Sequence, residues 1–310
     1  MEKMLISGGN GFLGSHLAEY AVAEGYEVTV VDDFTTSNVV NVPSEVNLVR
    51  KSIEEFDTDG KYDFVVHLAA RPSPEDYSLN PVRTISSNSF GTKVMLDIAR
   101  KSNGTFVYTS SSEVYGEASI IPTPENYYGY VNPNGIRSCY DEGKRFSEAL
   151  SMAYHREYNL DVRIQRPFNV YGPRIREDGF YGRVIPRFIA QVLANSPITI
   201  HGDGSQTRSF LYVEDWLNAT WKFMHKENLE ERILNIGSDS QITVLQLAEK
   251  LKNMTGSQST LDFQERRIDD PSRRAADITL VRKVLGWSPG ITLEEGLNKT
   301  IEWFRAKSGE

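Results

Sequence analysis

The stretch Gly8-Gly9-Asn10-Gly11-Phe12-Leu13-Gly14 follows a short apolar run and opens an amphipathic segment, and it is the strongest indication of the fold in this sequence. Its glycines recur with the spacing GxxGxxG. Glycine lets the backbone turn sharply and approach a pyrophosphate, whose charge is then met by the N-terminus of the following helix. The pattern therefore predicts a dinucleotide-binding turn between a strand and a helix. Its candidate cofactor contacts are Gly8, Asn10, Gly11, Phe12 and Leu13.

Two acids follow the second apolar run, Val28-Thr29-Val30-Val31, and they stand about 20 residues beyond the glycine stretch. An acid at this position holds the ribose hydroxyls of a dinucleotide and repels the additional phosphate of NADP. We therefore predict NAD as the cofactor, with Asp32 as the principal ribose ligand. Asp33 is the second candidate, and its alternative interpretation is a solvated loop charge.

Short apolar runs alternate with longer amphipathic segments along the N-terminal half of the chain. The predicted strands are Met4–Ser7, Glu27–Val31, Asn47–Arg50, Phe64–Leu68, Thr105–Ser110 and Asp161–Arg166. The predicted helices are Gly14–Ala23, Pro81–Lys101, Tyr140–Tyr158, Val213–His225, Val244–Met254 and Leu293–Arg305. Alternation of this kind predicts an α/β fold, a Rossmann-type doubly wound parallel sheet.

The periodicity loosens after about residue 170, where prolines and a Gly/Asp/Ser-rich stretch interrupt it. We expect residues 1–170, together with about 209–237, to form the NAD-binding Rossmann domain. Residues 171–208 and 238–310 are expected to form a smaller C-terminal substrate-binding lobe with a less regular sheet.

Three further positions in the N-terminal half are candidates for the cofactor site. Leu68-Ala69-Ala70 closes a predicted strand with small residues, which leaves room for a cofactor to lie across the sheet. His67, just before them, is interpreted as a structural histidine. Asn88 lies inside a predicted helix, where it either relieves a bend of the helix or faces the cofactor.

A tyrosine and a lysine stand four residues apart in Tyr140-Asp141-Glu142-Gly143-Lys144, on one face of a predicted helix. A nearby ammonium lowers the pKa of a phenol, so that the tyrosinate accepts a proton near neutral pH. The hydroxyl-rich stretch Thr109-Ser110-Ser111-Ser112 ends a predicted strand, at the edge of a parallel sheet where ligands bind. A hydroxyl there can bond a substrate oxygen beside Tyr140, although a Ser-rich loop that caps a helix is the alternative.

Composition and charge exclude several classes of protein. The 310 residues carry a net charge of −8, which disfavours nucleic acid and anionic membranes as partners because both require a positive field. Cys139 is the single cysteine and the five histidines are scattered, so we expect no disulfide and no metal site. The chain shows neither a signal-peptide pattern nor an apolar run of membrane-spanning length, and we expect a cytoplasmic protein.

Together these motifs resemble the extended short-chain dehydrogenase/reductase family, and specifically the class that acts on nucleotide sugars. The resemblance implies that Tyr140 takes a proton from the 4-hydroxyl of the sugar while a hydride passes from C4 to NAD⁺, and that Tyr140 and Lys144 also contact NAD. It further implies a homodimer that pairs through the helices around Pro81–Lys101 and Tyr140–Tyr158. The matching positions are the glycine stretch, Asp32, His67–Ala70, Asn88, Ser111, Tyr140, Lys144, Arg166–Arg174 and Gly202–Phe210.

Within this family, Ser111-Ser112-Glu113 before Val-Tyr-Gly resembles the UDP-glucuronate decarboxylases, which make UDP-xylose. Arg137–Arg145 resembles the same enzymes, as does Asp269-Asp270-Pro271 with Arg274. The resemblance implies that Ser111, Ser112 and Glu113 complete the catalytic group, and that Glu113 orients the sugar ring and handles the proton at C5. Oxidation at C4 makes the C5 carboxylate β to a ketone, and such acids lose carbon dioxide readily.

Basic and amide side chains in the C-terminal part suit a substrate diphosphate, because guanidinium groups bind phosphate oxygens bidentately. The candidate substrate-binding residues are Asn169, Arg183, Arg208 and Arg274. Two alternatives within the family stay open: a nucleotide-sugar 4-epimerase and a 4,6-dehydratase-like enzyme. A third alternative, from another class, is a non-catalytic NAD-binding regulatory protein.

Overall fold

The computed structural model describes residues 1–36, 39–176, 183–265 and 273–308, so the segment Asp269-Asp270-Pro271 lies outside the described residues. Within these ranges the strands are β1 Lys3–Ser7, β2 Glu27–Asp32, β3 Asn47–Arg50, β4 Phe64–His67, β5 Thr105–Thr109, β6 Val162–Pro167, β7 Val170–Tyr171, β8 Ile198–His201, β9 Thr207–Ser209, β10 Leu211–Tyr212, β11 Ile233–Ile236, β12 Gln241–Thr243, β13 Leu261–Gln264 and β14 Arg273–Arg274. The helices in the same ranges are α1 Phe12–Ala23, α2 Pro74–Leu79, α3 Pro81–Ser102, α4 Ser138–Tyr158, α5 Val184–Leu193, α6 Val213–Met224, α7 Val244–Thr255, α8 Thr279–Leu285 and α9 Leu293–Ser308.

The central sheet has the strand order β11-β6-β5-β4-β1-β2-β3. Strand β1 pairs in parallel with β2 on one side and with β4 on the other, and the pairs β2–β3, β4–β5 and β5–β6 are also parallel. The strand order therefore reverses at β1. Doubly wound sheets bind ligands at such a switch point, beyond the carboxyl ends of the strands. The predicted Rossmann-type α/β fold is confirmed.

The inner strands of this sheet are apolar on both faces, which is typical of parallel strands covered by helices. Met4, Leu5 and Ile6 of β1 and Val65 and Val66 of β4 are completely buried. Helix α1 packs on β1 and β2, while α3 packs on β4 and β5. This packing fixes the carboxyl ends of β1, β2 and β4 in one row.

Helices α3 and α4 lie directly against each other. A Cβ placed on Gly143 would lie 3.0 Å from the Cβ of Asn88, so the absence of a side chain at Gly143 permits this close approach. The hydroxyl of Thr92 donates to the Oγ of Ser147 over 2.9 Å, and Ser147 in turn donates to the backbone carbonyl of Asn88. These buried bonds fix the rotation of α4, the helix that carries the Tyr-x-x-x-Lys motif.

All six predicted helices and all six predicted strands are present, with ends within three residues of the predictions. Helices α2, α5 and α8 were not predicted. Helix α5 contains Pro186, one of the prolines expected to interrupt the periodicity after residue 170. Because Pro186 is the third residue of α5, it lies in the first turn, where no intrahelical N–H bond is lost.

The chain divides into two compact units, whose boundaries differ from the predicted division in two longer stretches and, at residues 167–170 and 235–237, by a few residues. Residues 115–130 belong to the second unit, where the N–H of Thr123 donates to the carbonyl of Ala275 over 2.9 Å. Residues 209–216 belong there as well, since the carboxylate of Asp215 accepts N–H bonds from Gly290 and Ile291, each of 2.9 Å. The first unit is Met1–Val114, Val131–Arg166 and Leu217–Leu234, and the second is Tyr115–Tyr130, Pro167–Trp216 and Asn235–Glu310.

The second unit contains short strands in small sheets. Strand β9 lies between β12, which is antiparallel to it, and β14, which is parallel to it. Two further parallel pairs are β7 with β10 and β8 with β13. Strand β12 leads into α7, whose start is fixed by reciprocal hydrogen bonds between Thr243 and Gln246.

Candidate active site

The glycine turn lies at the carboxyl end of β1, at the switch point of the sheet. Gly8 has a φ of +67°, a conformation that favours glycine, and a Cβ there would lie 2.7 Å from the backbone of Ala69. A Cβ on Gly14 would lie 2.3 Å from the carbonyl oxygen of Gly8. At Gly11 an added Cβ would meet, among the described atoms, that same oxygen alone, at 3.2 Å. Gly8 and Gly14 therefore serve the turn's own packing, while Gly11 leaves backbone surface open to a ligand.

Helix α1 begins at Phe12, and no side chain caps its N-terminus. A hydrogen bond of 2.9 Å runs from the N–H of Ser15 to the carbonyl of Gly11 and closes the first turn. The N–H groups of Phe12 and Leu13 precede this bond, and such groups at a helix start are donors for an anion. The predicted contacts in the glycine stretch thus meet at one edge of the sheet.

Asp32 ends β2 and is hydrogen-bonded to the glycine stretch. Its Oδ2 accepts the N–H of Asn10 over 3.0 Å, and its Oδ1 accepts the N–H of Phe34 over 2.9 Å. Burial raises the pKa of Asp32, and the two backbone bonds partly counteract this rise. The carboxylate is therefore held beside the turn that the sequence assigned to the cofactor.

Asp33 has different partners. Its Oδ2 forms an ion pair of 3.1 Å with Arg83, and its Oδ1 accepts the N–H of Thr35 over 2.9 Å. Both members of the ion pair are partly exposed, and pairs of this kind contribute little to stability. The two adjacent acids are thus separated by environment, with Asp32 joined to the glycine stretch and Asp33 engaged at the surface.

Asn10 connects the glycine stretch to the loop after β2. Its buried side chain donates from Nδ2 to the carbonyl of Val39 over 2.8 Å and accepts at Oδ1 the N–H of Asn41 over 2.7 Å. The carbonyl of Asn10 also accepts a bond of 3.0 Å from the amide of Asn41. Asn10 therefore positions this loop next to Asp32.

The segment Leu68-Ala69-Ala70 follows β4 and is half-buried beside the glycine turn. The preceding residue, His67, is buried with its Nδ1 2.6 Å from the Oγ of Ser7. Burial, and secondarily the charge of Lys144, lower the pKa of His67 to about 3. The imidazole is therefore neutral at physiological pH and packs inside the sheet.

Tyr140 and Lys144 are both buried on α4, one helical turn apart. The Nζ of Lys144 donates to the carbonyl of Thr109 over 2.8 Å and lies 5.8 Å from the centroid of the Tyr140 ring. Burial lowers the pKa of Lys144 to about 7, and the charge of Glu148 counteracts part of this shift. A group that titrates near neutral pH therefore stands beside the phenol, which suits proton transfer.

The serine cluster follows β5 and leads into a short 3-10 turn, Ser112–Tyr115. The Oγ of Ser111 accepts the N–H of Glu113 over 3.2 Å, and Ser112 is buried. The carboxylate of Glu113 forms an ion pair with Arg137, and each side chain is 19% exposed. Because Arg137 directly precedes α4, this ion pair joins the loop after β5 to the start of the helix that bears Tyr140.

Arg137 and Tyr77 also belong to this site, although the sequence analysis assigned neither a role. The ring of Tyr77 stacks on that of Tyr140, with centroids 5.6 Å apart and an interplanar angle of 14°. The guanidinium carbon of Arg137 lies 6.0 Å from the centroid of the Tyr77 ring. Arg137 precedes Tyr140 by three residues, a helical spacing that could have indicated it. Tyr77 comes from a distant segment, and no local pattern links it to Tyr140.

Asn88 is completely buried on α3, where it faces α4. Its Nδ2 donates to the carbonyl of Thr84 over 3.1 Å, which is one turn earlier in the same helix. Among the described residues its Oδ1 has no hydrogen-bond partner. A role toward the cofactor stays a prediction for Asn88.

The four candidate substrate-binding residues lie in the second unit. Arg208 on β9 and Arg274 on β14 are register partners, and both are buried. The amide of Asn169 donates to the carbonyl of Ser209, the neighbour of Arg208, over 2.9 Å. Arg183 directly precedes α5 and is exposed, and its side chain makes no hydrogen bond or ion pair with another described residue. The fold therefore places Arg208 and Arg274 side by side. Asn169 is hydrogen-bonded to the residue after Arg208, whereas Arg183 lies outside this group.

Two further observations concern the described part of the chain. It contains no group of three or more His, Cys, Asp or Glu side chains arranged to hold a metal ion. None of its helices is both long enough and apolar enough to cross a membrane.

Comparison with known proteins identifies a family and several relatives. The model of the NAD dependent epimerase/dehydratase family matches residues 4–237. UDP-glucuronic acid decarboxylase 4 of Arabidopsis thaliana is 41% identical over 310 residues, which cover 98% of this chain and 69% of that protein. UDP-glucuronic acid decarboxylase 1 of Danio rerio is 39% identical over 307 residues, which cover 98% of this chain and 72% of that protein.

Solved structures with a similar fold include two epimerases. UDP-glucose 4-epimerase of Thermotoga maritima, solved with UDP-glucose, has a TM-score of 0.92 and 32% identity, with 99% of this chain and 100% of that chain covered. UDP-glucuronic acid 4-epimerase of Bacillus cereus, solved with UDP-glucuronic acid and NAD, has a TM-score of 0.87 and 28% identity, with coverage of 98% and 99%. The sequence relatives named above are decarboxylases, whereas these structural relatives are epimerases.

Proposed function

This chain belongs to the NAD dependent epimerase/dehydratase family, and we propose that it converts UDP-glucuronate to UDP-xylose and carbon dioxide. The observation that carries the proposal is the carboxylate of Glu113, which is mostly buried and fixed by Arg137 at the start of the helix that bears Tyr140. The relatives that match 98% of the chain at about 40% identity are UDP-glucuronic acid decarboxylases, which supports the same conclusion.

The proposed reaction leaves the cofactor unchanged overall. When bound, NAD would supply the redox chemistry, which is the reversible oxidation of the sugar at C4. The resulting 4-ketone stands β to the C5 carboxylate. The bond between C5 and the carboxylate then breaks, carbon dioxide leaves, and the electron pair is taken up as the enolate of the ketone. A proton adds at C5, so that hydrogen replaces the carboxylate in the product.

Tyr140 is the proposed acceptor of the 4-hydroxyl proton, which it gives back when C4 is reduced. Lys144 supports the tyrosinate, because a positive charge near a phenol favours the deprotonated form. The bond from Lys144 to the carbonyl of Thr109 holds the amine in this position. Ser111, whose hydroxyl is half-buried at the end of β5, would donate to the same sugar oxygen as that oxygen becomes negative.

Glu113 is the proposed group on the C5 side of the sugar. A carboxylate can accept hydrogen bonds from ring hydroxyls and can carry a proton, whereas an amide can do only the first. Ser112, which is buried next to Glu113, is the first residue of the short turn that carries this carboxylate. Decarboxylation requires a group of this kind because C5 must be protonated after carbon dioxide leaves.

The residues around the switch point fit NAD. The open backbone at Gly11 and the N–H groups of Phe12 and Leu13 would hold the pyrophosphate. Asp32 would hold the ribose hydroxyls, with Asn10 fixing the loop beside it. The remaining proposed contacts, on the adjacent strand end and on α3 and α4, are Leu68, Ala69, Ala70, Asn88, Tyr140 and Lys144.

Arg208 and Arg274 are the proposed ligands of the substrate diphosphate. Their two buried guanidinium groups lie on neighbouring strands, and guanidinium groups bind phosphate oxygens through charge-assisted hydrogen bonds. Asn169 would add a neutral donor. Arg183 is exposed just before α5 and lies outside this pair, so its contact with the substrate stays a prediction.

Two other functions within the family are the alternatives to decarboxylation. A 4-epimerase is supported by the similar structure of the UDP-glucuronic acid 4-epimerase. A dehydratase is supported by a similar NDP-hexosamine 5,6-dehydratase, with a TM-score of 0.87 and 29% identity. Against a 4,6-dehydratase, Ser112 stands where those enzymes resemble one another in carrying an aspartate. The intact set of Ser111, Tyr140 and Lys144 argues against a non-catalytic protein.

The experiment that tests the proposal compares Glu113→Gln with the native enzyme on UDP-glucuronate. We expect carbon dioxide release to slow strongly in the variant, while the absorbance of NADH builds up because hydride transfer continues. Glu302→Gln, on the exposed side of α9, is the matched control and should behave like the native enzyme. If Glu113→Gln releases carbon dioxide at the native rate, Glu113 does not perform the proposed step.

The homodimer predicted from the sequence is also part of the proposal. Helices α3 and α4 expose large apolar side chains, including Val82 at 76%, Phe90 at 65% and Phe146 at 49%, and a second copy of the chain would cover them. Light scattering of the native protein and of Phe90→Asp would test this arrangement, and a monomeric native protein would contradict it. The cytoplasmic location stays a prediction, which cell fractionation would test.

A further inference from the structure

We infer that Arg137 is a positioning residue for the proposed reaction, one that sets the position of Glu113 relative to Tyr140. The inference rests on the proposed function, because it assigns Glu113 and Tyr140 to adjacent carbons of the same sugar. Arg137 and Glu113 form an ion pair in which each side chain is only 19% exposed. A charge pair withdrawn from water to this extent holds its geometry more firmly than an exposed pair.

Arg137 faces a second carboxylate in addition to Glu113. Its Nε lies 3.7 Å from the Oδ2 of Asp141, which is one turn further along α4 and only 7% exposed. One guanidinium thus offsets the charge of two largely buried carboxylates. The planar fork of arginine suits this arrangement, because it presents several N–H donors in fixed directions. A lysine offers one compact charge and cannot reproduce both contacts.

Arg137 is linked to Tyr140 by two separate routes. Its backbone carbonyl accepts the N–H of Tyr140 over 2.9 Å, which fixes the first turn of α4. Its guanidinium also lies 6.0 Å from the ring centroid of Tyr77, and that ring stacks on Tyr140. The same residue therefore anchors the proposed C5 group through its side chain and contacts the surroundings of the C4 group through its backbone and through Tyr77.

This geometry gives Arg137 a role that differs from general stabilisation of the fold. Charged and titratable groups of the described residues that pack around Glu113 include Arg137 and Asp141 near the start of α4 and Tyr77 on α2. Arg145, further along α4, donates from Nη1 to the backbone carbonyl of Val114 over 3.0 Å. Arg137 is the cation that forms the ion pair with the Glu113 carboxylate. Its removal would leave Glu113 near Asp141 without this cation, so Glu113 would take up a proton at higher pH than in the native enzyme. A displaced Glu113 would slow the delivery of the proton to C5 and spare binding.

The test uses Arg137→Met, Arg137→Lys and Glu113→Gln in the full-length enzyme with NAD and UDP-glucuronate. We expect Arg137→Met to lower kcat by about 100-fold, the effect of a misplaced reactive group, with KM changed less than kcat. Because Glu113 is proposed to deliver the proton to C5, the alkaline limb of the variant's pH–rate profile, on which Glu113 loses that proton, should move to higher pH. Arg137→Lys should return that limb toward the native position and recover part of kcat. Arg282→Met, which removes an exposed ion pair with Asp239, is the control and should leave both kcat and the profile unchanged.

The double variant Arg137→Met/Glu113→Gln separates positioning from an independent effect. If Arg137 acts through Glu113, the double variant will be nearly as active as Glu113→Gln alone. If the losses of kcat in the two single variants multiply in full in the double variant, the inference is overturned. A pH–rate profile of Arg137→Met that matches the native profile would overturn it as well. If Arg137→Met does not fold, Arg137→Lys decides. A kcat as low as that of Glu113→Gln, together with a pH–rate profile no closer to the native profile, would also overturn the inference. An unaffected Glu113→Gln would instead contradict the proposed function, so the two failures can be distinguished.

Discussion

Arg208 and Arg274 are register partners on the parallel strands β9 and β14, so two buried arginines stand side by side on one face of a small sheet. Two adjacent guanidinium groups can bind the oxygens of a diphosphate through charge-assisted hydrogen bonds. We therefore expect Arg208→Met and Arg274→Met each to raise the KM for the UDP-sugar by about 10-fold or more, equivalent to a lost charge-assisted bond. The affinity for NAD, measured by titration without the sugar, should stay unchanged. An unaltered KM in both variants would remove this pair from the substrate site.

Tyr140→Phe removes the proposed proton acceptor and little else. Tyr140 is buried and stacked on Tyr77, and a phenylalanine ring retains this packing. We expect turnover to fall by at least about 100-fold, in the range typical of a lost general base, while NAD binding and the melting temperature stay near the native values. Cofactor titration and thermal unfolding on the same preparation provide the comparison. Activity above a few per cent of native would show that another group accepts the proton.

Lys144 should lower the stability of the folded chain near neutral pH. Its pKa falls from 10.5 to about 7 on burial, so between these values the unfolded chain binds more protons than the folded one, and stability rises with pH. The penalty for the buried charge is therefore complete below about pH 7 and disappears above the unfolded pKa. We expect Lys144→Met to abolish turnover yet to raise the free energy of unfolding near pH 7 by a few kcal/mol, since one pKa unit corresponds to about 1.4 kcal/mol.

Urea unfolding at several pH values checks this prediction for Lys144. The difference between Lys144→Met and the native protein should shrink as the pH approaches 10. Lys93→Met, which removes a largely exposed partner of Asp97, is the control and should show a small effect without this trend. A difference that is constant with pH would mean that the folded pKa of Lys144 is not lowered.

Asp32 should determine the choice of cofactor. Its carboxylate is fixed by the N–H groups of Asn10 and Phe34, so it cannot turn away from a 2′-phosphate without loss of these bonds. The native protein should bind NAD at least about 10-fold more tightly than NADP, the equivalent of about 1.4 kcal/mol. Asp32→Asn should reduce this preference, whereas Asp33→Asn should leave it nearly unchanged. Equal affinities of the native protein for the two cofactors would exclude Asp32 from the ribose site.

Local patterns were sufficient to predict the first unit. The GxxGxxG spacing, the apolar strands and the acid at position 32 each depend on neighbours in sequence, and all three follow from backbone geometry that a short segment specifies. The same holds for Tyr140 and Lys144, because positions four apart on a helix share a face. The extent of α4 and the doubly wound parallel sheet therefore agree with the predictions.

Tertiary contacts decided what the sequence could not predict. Asp32 and Asp33 are chemically identical neighbours, and their environments differ because distant residues contact them, Asn10 in the case of Asp32 and Arg83 in the case of Asp33. Residues 115–130 read as a continuation of the N-terminal pattern, yet Thr123 pairs with a carbonyl more than a hundred residues away. Tyr77 gives no local indication that its ring stacks on Tyr140. Such contacts become visible only when separate segments are packed together.

The most direct test of the proposed decarboxylation is the mass of the product that the native enzyme forms from UDP-glucuronate in the presence of NAD. We predict UDP-xylose, lighter than the substrate by the mass of carbon dioxide, with carbon dioxide released in equal amount and no net formation of NADH. A 4-epimerase would keep the carboxylate on the sugar, so its product would have the same mass as the substrate. A UDP-galacturonate product without release of carbon dioxide would contradict the decarboxylase assignment and leave the family and the NAD site intact.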